Sequence, residues 1–104
     1  MADDIPVKLA VQRTARGLEA AVNAHDSEAT AGRFSPDFAD RDNELRPLFA
    51  RTDRTELIGT VANRTLLHLH LADGETRVVE LLWRDHDGAW LIEDARVFSL
   101  IAGE

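Results

Sequence analysis

Glu80 and Glu93 stand in stretches that are otherwise aliphatic, and acids in such a setting can do proton chemistry. A carboxylate in apolar surroundings is disfavoured as an anion, and full burial raises its pKa by about 3–5 units. Two such acids close together couple and can share a proton, leaving one acid and one base near neutrality. Moving a proton beside a carbonyl requires that arrangement. The plainer reading pairs each acid with an arginine, Arg33, Arg64 or Arg84, near an open end of a sheet. His68 and His70, two residues apart, could reach a metal together with Asp94. No third ligand of convincing spacing accompanies them, so neither a metal nor a cofactor is expected. The chain has no Gly-rich phosphate loop, Ser nucleophile elbow or metalloprotease helix motif.

The elements that must carry these residues follow from the runs RTLLHLHLA, ETRVVELLWRDH and AWLIEDARVFSL. Asp73-Gly74 and Asp87-Gly88 separate them, and Asp-Gly between alternating hydrophobics signals a hairpin turn. Residues 64 to 100 therefore read as three consecutive strands. Alternation then groups Thr65, Leu67, Leu69, Leu71, Val78, Glu80, Leu82, Leu91, Glu93, Ala95 and Val97 on one face. The other face takes Leu66, His68, His70, Arg77, Val79, Leu81, Trp83, Trp90, Ile92, Asp94, Arg96 and Phe98. A two-residue loop at Asp87-Gly88 pairs Glu80 with Ala95, and a four-residue loop from Asp85 sets it opposite Glu93.

Upstream, Val7, Val11, Ala15, Leu18 and Val22 form one apolar stripe of a helix over residues 5 to 24. Asp26 or Ser27 caps a short second helix ending near Arg33. Ser35-Pro36-Asp37 marks a turn, and residues 38 to 42 alternate as a short strand would. Pro47 argues against a helix interior for residues 44 to 51, which read as an edge strand or loop. Thr52 or Asp53, with Glu56 in capping-box spacing, predicts a third helix burying Leu57, Ile58 and Val61. The order gives a single α+β domain over residues 1–104, with helices packed on one sheet face. The aliphatic set is expected to face inward. The mixed set, with aromatics, Arg and charge, is expected to form a homodimer interface through His68, Trp83, Trp90, Ile92 and Arg96.

Composition limits the partners. The chain has 104 residues, no cysteine and a net charge of −7, which argues against nucleic acid and against an anionic membrane surface. No apolar run approaches a membrane span, and the acidic start lacks a secretory pattern, so a cytoplasmic location is the expectation.

The phrases AHDSEATAGRFSPDF and DGAWLIEDARVFS, with this element order, resemble the nuclear-transport-factor-like family. Its members include ketosteroid isomerases and SnoaL-like polyketide cyclases. The matching features are Asp26 as helix cap, Phe34 and Phe38 around the turn, and Asp87, Gly88 and Trp90 in the closing pattern. The resemblance implies a cone-shaped α+β fold, with N-terminal helices on a curved, mostly antiparallel sheet ending in a three-strand meander. Carried over from the isomerases, the general base falls on Asp42, the protonated acid near Glu80, and its cavity-wall partner on Glu93. The oxyanion-hole tyrosine falls on Leu18, and the chain contains no tyrosine.

The expected function is a domain binding a small apolar organic ligand in an acid-lined pocket formed by Leu18, Phe34, Phe38, Leu67, Leu69, Leu82 and Val97. Cofactor-free isomerisation, dehydration or cyclisation is the chemistry that Asp42, Glu80 and Glu93 would permit. The alternative is a non-catalytic dimerisation or protein-association module of the same fold.

Overall fold

The computed structural model describes residues 4–41 and 45–99. Helix α1 runs Asp4–Asn23, and its stripe is the one the spacing predicts: Val11, Ala15, Leu18 and Val22 are buried and Val7 packs beside them. A Schellman turn ends it. The Asp26 N–H reaches the Ala21 carbonyl at 2.9 Å and the His25 N–H reaches that of Val22 at 3.0 Å. His25 takes the left-handed conformation there, with φ 57°, where glycine is the usual occupant. Helix α2, Ser27–Ala31, starts at Asp26, whose side chain accepts from the Ala29 N–H.

Among the described residues, 38–41 and 45–50 are helical rather than strands or loop. Helix α3 spans Pro36–Arg41 and helix α4 spans Leu45–Ala50. Ser35 caps α3 by accepting from the Phe38 N–H at 3.2 Å, and Pro36 takes the first helical position, where its fixed φ suits the helix. Pro47 is tolerated because it lies in the first turn of α4, where the N–H it lacks has no intrahelical partner.

The third helix expected after Thr52 is instead strand β1, Thr52–Val61. Thr52, Thr55, Ile58, Thr60 and Val61 are β-branched, and that enrichment outweighs the capping-box spacing of Asp53 and Glu56. With β2 (Arg64–Leu71), β3 (Thr76–His86) and β4 (Ala89–Ser99) it makes a four-stranded antiparallel sheet in the order β1-β2-β3-β4. The described residues thus form an α+β fold, helices first and antiparallel sheet after.

The two Asp-Gly turns differ, and that difference inverts one strand. At Asp87-Gly88, His86 pairs with Ala89 and the two loop residues have φ 54° and 94°, a two-residue loop with both residues left-handed. At the other turn the last ladder pair is His70 with Thr76, and the Leu71 N–H still reaches the Glu75 carbonyl at 2.8 Å. The loop there is the three residues Ala72-Asp73-Gly74, and Gly74 at φ 92° closes it. One extra loop residue turns every β3 side chain over relative to β2. Val79, Leu81 and Trp83 therefore join Thr65, Leu67, Leu69 and Leu71 inside, while Glu80 and Leu82 lie on the outer face with Leu66, His68 and Arg96.

The expected interface residues Trp83 and Ile92 are in the core, both at 0% exposure, and Trp90 packs against it. Trp83 Nε1 donates to Thr65 Oγ1 at 3.0 Å, so the indole is a satisfied interior anchor. A bulge between Leu82 and Trp83 on the β3–β4 ladder makes Glu93 the unpaired residue of β4, after which Ala95 returns inward.

Helix α1 packs chiefly on β1, and the core is built from its stripe, the inner sheet face, and Phe34, Leu45, Leu48 and Phe49. No helix among the described residues is long and apolar enough to cross a membrane.

Candidate functional site

Helices α1, α2 and α4 meet around a cavity of about 460 Å³. Val22, from the last turn of α1, and Phe34 and Phe49 give it an apolar floor, and all three are buried. His25, Asp26, Ser27, Glu28, Thr30 and Ala31 form one wall, and Arg46 and Ala50 of α4 form the other. The Phe34 and Phe49 rings are tilted, with centroids 6.2 Å apart, and Phe38 stacks on Phe34 at 5.6 Å. The Arg46 guanidinium lies over the Phe34 ring at 5.3 Å.

Local folding explains why polar groups collect here. The Schellman turn ending α1 and the cap starting α2 share residues 24 to 26, so the chain bends sharply and presents His25, Ser27 and Glu28 at the rim. Asp26 is committed to the Ala29 N–H at 3.1 Å, and Thr30 Oγ1 donates to the Asp26 carbonyl at 2.9 Å. The wall is therefore pre-organised, and its volume falls within the range of small-ligand sites.

The residues expected to form an acid-lined cavity do not come together. Leu18, Leu67 and Leu69 are fully buried and fill the space between helix and sheet. Glu80 and Leu82 lie on the outer face, Glu80 opposite Arg96 and Leu82 opposite Asp94. Val97 pairs with buried Val79 and is itself exposed. Asp42 lies outside the described residues. Of the expected ligand-binding set, Phe34 alone lines the observed cavity.

Glu93 has a different role from the one its aliphatic neighbours suggest. Ser35 Oγ donates to Glu93 Oε2 at 2.9 Å, and Oε1 lies 3.0 Å from His86 Nε2 and 3.9 Å from Arg84 Nη1. The Ser35 hydrogen bond, then His86 and Arg84, hold its carboxyl below the ordinary range against the opposing effect of burial. Glu93 is an anion at neutral pH that ties β4 to the α2–α3 connection. The same connection is fastened by backbone: the Ile92 N–H donates to the Arg33 carbonyl at 2.7 Å and the Ser35 N–H to that of Ile92 at 3.0 Å.

Sequence reasoning missed Arg46, Phe49 and Ala50 because Pro47 removed the helix that carries them. The signal was present: Leu45, Leu48 and Phe49 have the three- and four-residue spacing of a helix face when Pro47 is placed in the first turn. No protein-family model, curated protein or solved structure matches this chain.

Proposed function

We propose that this chain is a small-molecule-binding domain whose ligand seats between α1, α2 and α4, and that its fold is of the cone-shaped nuclear-transport-factor-like kind. The observation that carries the binding reading is the 460 Å³ cavity, with two phenylalanine rings as floor and charged groups on the walls around them. A flat apolar body with one polar end suits that distribution. His25 adds support. A histidine held at φ 57°, where glycine costs nothing, is local strain at the cavity mouth, and such strain concentrates at binding sites. The helix-then-antiparallel-sheet order supports the fold-family reading.

Binding rather than proton transfer is the favoured role. Glu93, the one expected catalytic acid that is half-buried in a polar network, has its proton affinity lowered rather than raised. A general acid at neutral pH needs the opposite environment.

A second reading, homodimerisation through the outer sheet face, is favoured by Leu66 and Phe98, which are 36% and 44% exposed there. His68 and Arg96 keep their expected place on that face.

An isotope-labelled sample screened by NMR against small aromatic fragments tests the pocket. Perturbed amides are expected over residues 22–31 and 46–50, with β2 unchanged. Perturbation confined to the sheet, or none with any fragment, contradicts the reading.

A further inference from the structure

The outer face of the sheet carries a second grouping of side chains, separate from the cavity. Glu56 of β1 lies directly across from His68 of β2 in the ladder, and His70 follows two residues along on the same face. A ring nitrogen of each histidine and a carboxylate oxygen of Glu56 all lie within 4.8 Å of one another. His70 Nε2 and Glu56 Oε1 are already 2.8 Å apart, and the two imidazole centroids are separated by 4.4 Å.

A simple cross-strand ion pair accounts for His70 and Glu56. It does not account for His68. That side chain makes no hydrogen bond among the described residues, and its Nε2 is shut off from solvent with no partner. A buried polar atom left unpaired is costly, and each such atom asks for an explanation.

We propose that Glu56, His68 and His70 bind a divalent transition-metal ion of the zinc class. The donor set decides the class. Two imidazoles and one carboxylate suit zinc, cobalt or nickel, whereas magnesium and calcium take oxygen ligands and copper(I) takes sulfur. Bonds of about 2.0–2.2 Å to such an ion require donors roughly 3.3 Å apart, so small side-chain rotations within the observed cluster suffice. Three protein ligands leave a fourth tetrahedral position for water or another donor.

Beside His70, the carboxylate of Glu56 also faces Arg54 of its own strand. Arg54 is also the competitor. Its Nη1 lies 3.6 Å from Glu56 Oε1, and it is well exposed and able to swing away. The strand assignment explains why the third ligand escaped sequence reading. In a helix Glu56 has no relation to His68, whereas in β1 it is its direct neighbour.

The test uses the full chain, stripped with a chelator and titrated with zinc chloride by calorimetry. One ion per chain is expected, with affinity falling by about tenfold or more in each of Glu56→Gln, His68→Gln and His70→Gln. His86→Gln is expected to leave the affinity unchanged, magnesium to give no binding, and Arg54→Gln to tighten zinc. Cobalt added to the wild-type protein gives a reading independent of any variant: the ring resonances of His68 and His70 should broaden before those of His25 and His86. Absence of zinc binding, equal binding in all the variants, or uniform broadening of the four histidines overturns the proposal.

Discussion

Asn23 at the end of α1 grips Thr55 of β1 with both ends of its amide. Its Nδ2 donates to the Thr55 carbonyl at 3.1 Å, and its Oδ1 accepts from the Thr55 N–H at 2.7 Å. One turn earlier, Glu19 Oε2 accepts from the Leu57 N–H at 2.6 Å. Strand β1 is an edge of the sheet, and these two side chains occupy backbone groups that would otherwise offer a template for another chain. The helix thus packs the sheet with one stripe and protects its edge with residues just off that stripe.

Asn23→Ala is therefore expected to cost about 1–3 kcal/mol, since it leaves a partly buried donor and acceptor unmatched. Chemical denaturation measures the loss. Light scattering on the same sample should show slow association through the freed edge. An unchanged denaturation midpoint would remove the clamp from the account.

Much of α1 was legible because its five stripe residues are each buried or packed on the core, and a long periodic helix needs no tertiary information to be seen. The Asp87-Gly88 turn was legible for the same local reason. Asp73-Gly74 was not, because the dipeptide serves a two-residue loop and a three-residue loop equally well. The expected faces correspond to a two-residue loop there, and the third loop residue turns β3 over and brings Trp83 inside. The cavity was hidden by one residue, Pro47, and the histidine cluster by another, Glu56. Both have local signals that point one way, and their tertiary surroundings decide the other.

The Glu93 network makes a pH prediction. Its folded pKa lies below the ordinary 4.5 of a glutamate, so its contribution is present above that value and is lost as pH falls through the folded pKa. Unfolding free energy of the wild type should drop as pH falls from neutrality through and below 4.5, and Glu93→Gln should flatten that part of the curve. Ser35→Ala removes a hydrogen bond to a charged group and should cost about 1.5–3 kcal/mol near neutrality. Equal acid sensitivity in wild type and Glu93→Gln would argue that other carboxylates govern the acid limb.

His25→Gly relieves a left-handed non-glycine residue and should stabilise the fold by about 1 kcal/mol. It also removes a side chain from the cavity mouth, so fragment affinity should fall while the melting temperature rises. A rise in both would mean that the histidine does not serve the ligand.

Substitutions on the two sheet faces should separate folding from association. Trp83→Asp places an unpaired charge in a filled core and should abolish cooperative unfolding. Phe98→Asp on the outer face should leave the fold intact and convert any dimer to monomer in light scattering. A dimer that survives Phe98→Asp would contradict association through that face.

The binding reading is tested most directly by filling the cavity. Ala31 lines its wall on α2 and is half-buried, so Ala31→Phe should occupy the space without touching the sheet. The quantity to measure is the dissociation constant of the tightest fragment for wild type and for Ala31→Phe, with melting temperature recorded for both. The account predicts affinity at least about tenfold weaker, a loss of about 1.4 kcal/mol, at an unchanged melting temperature. Equal affinity in the two proteins would contradict it.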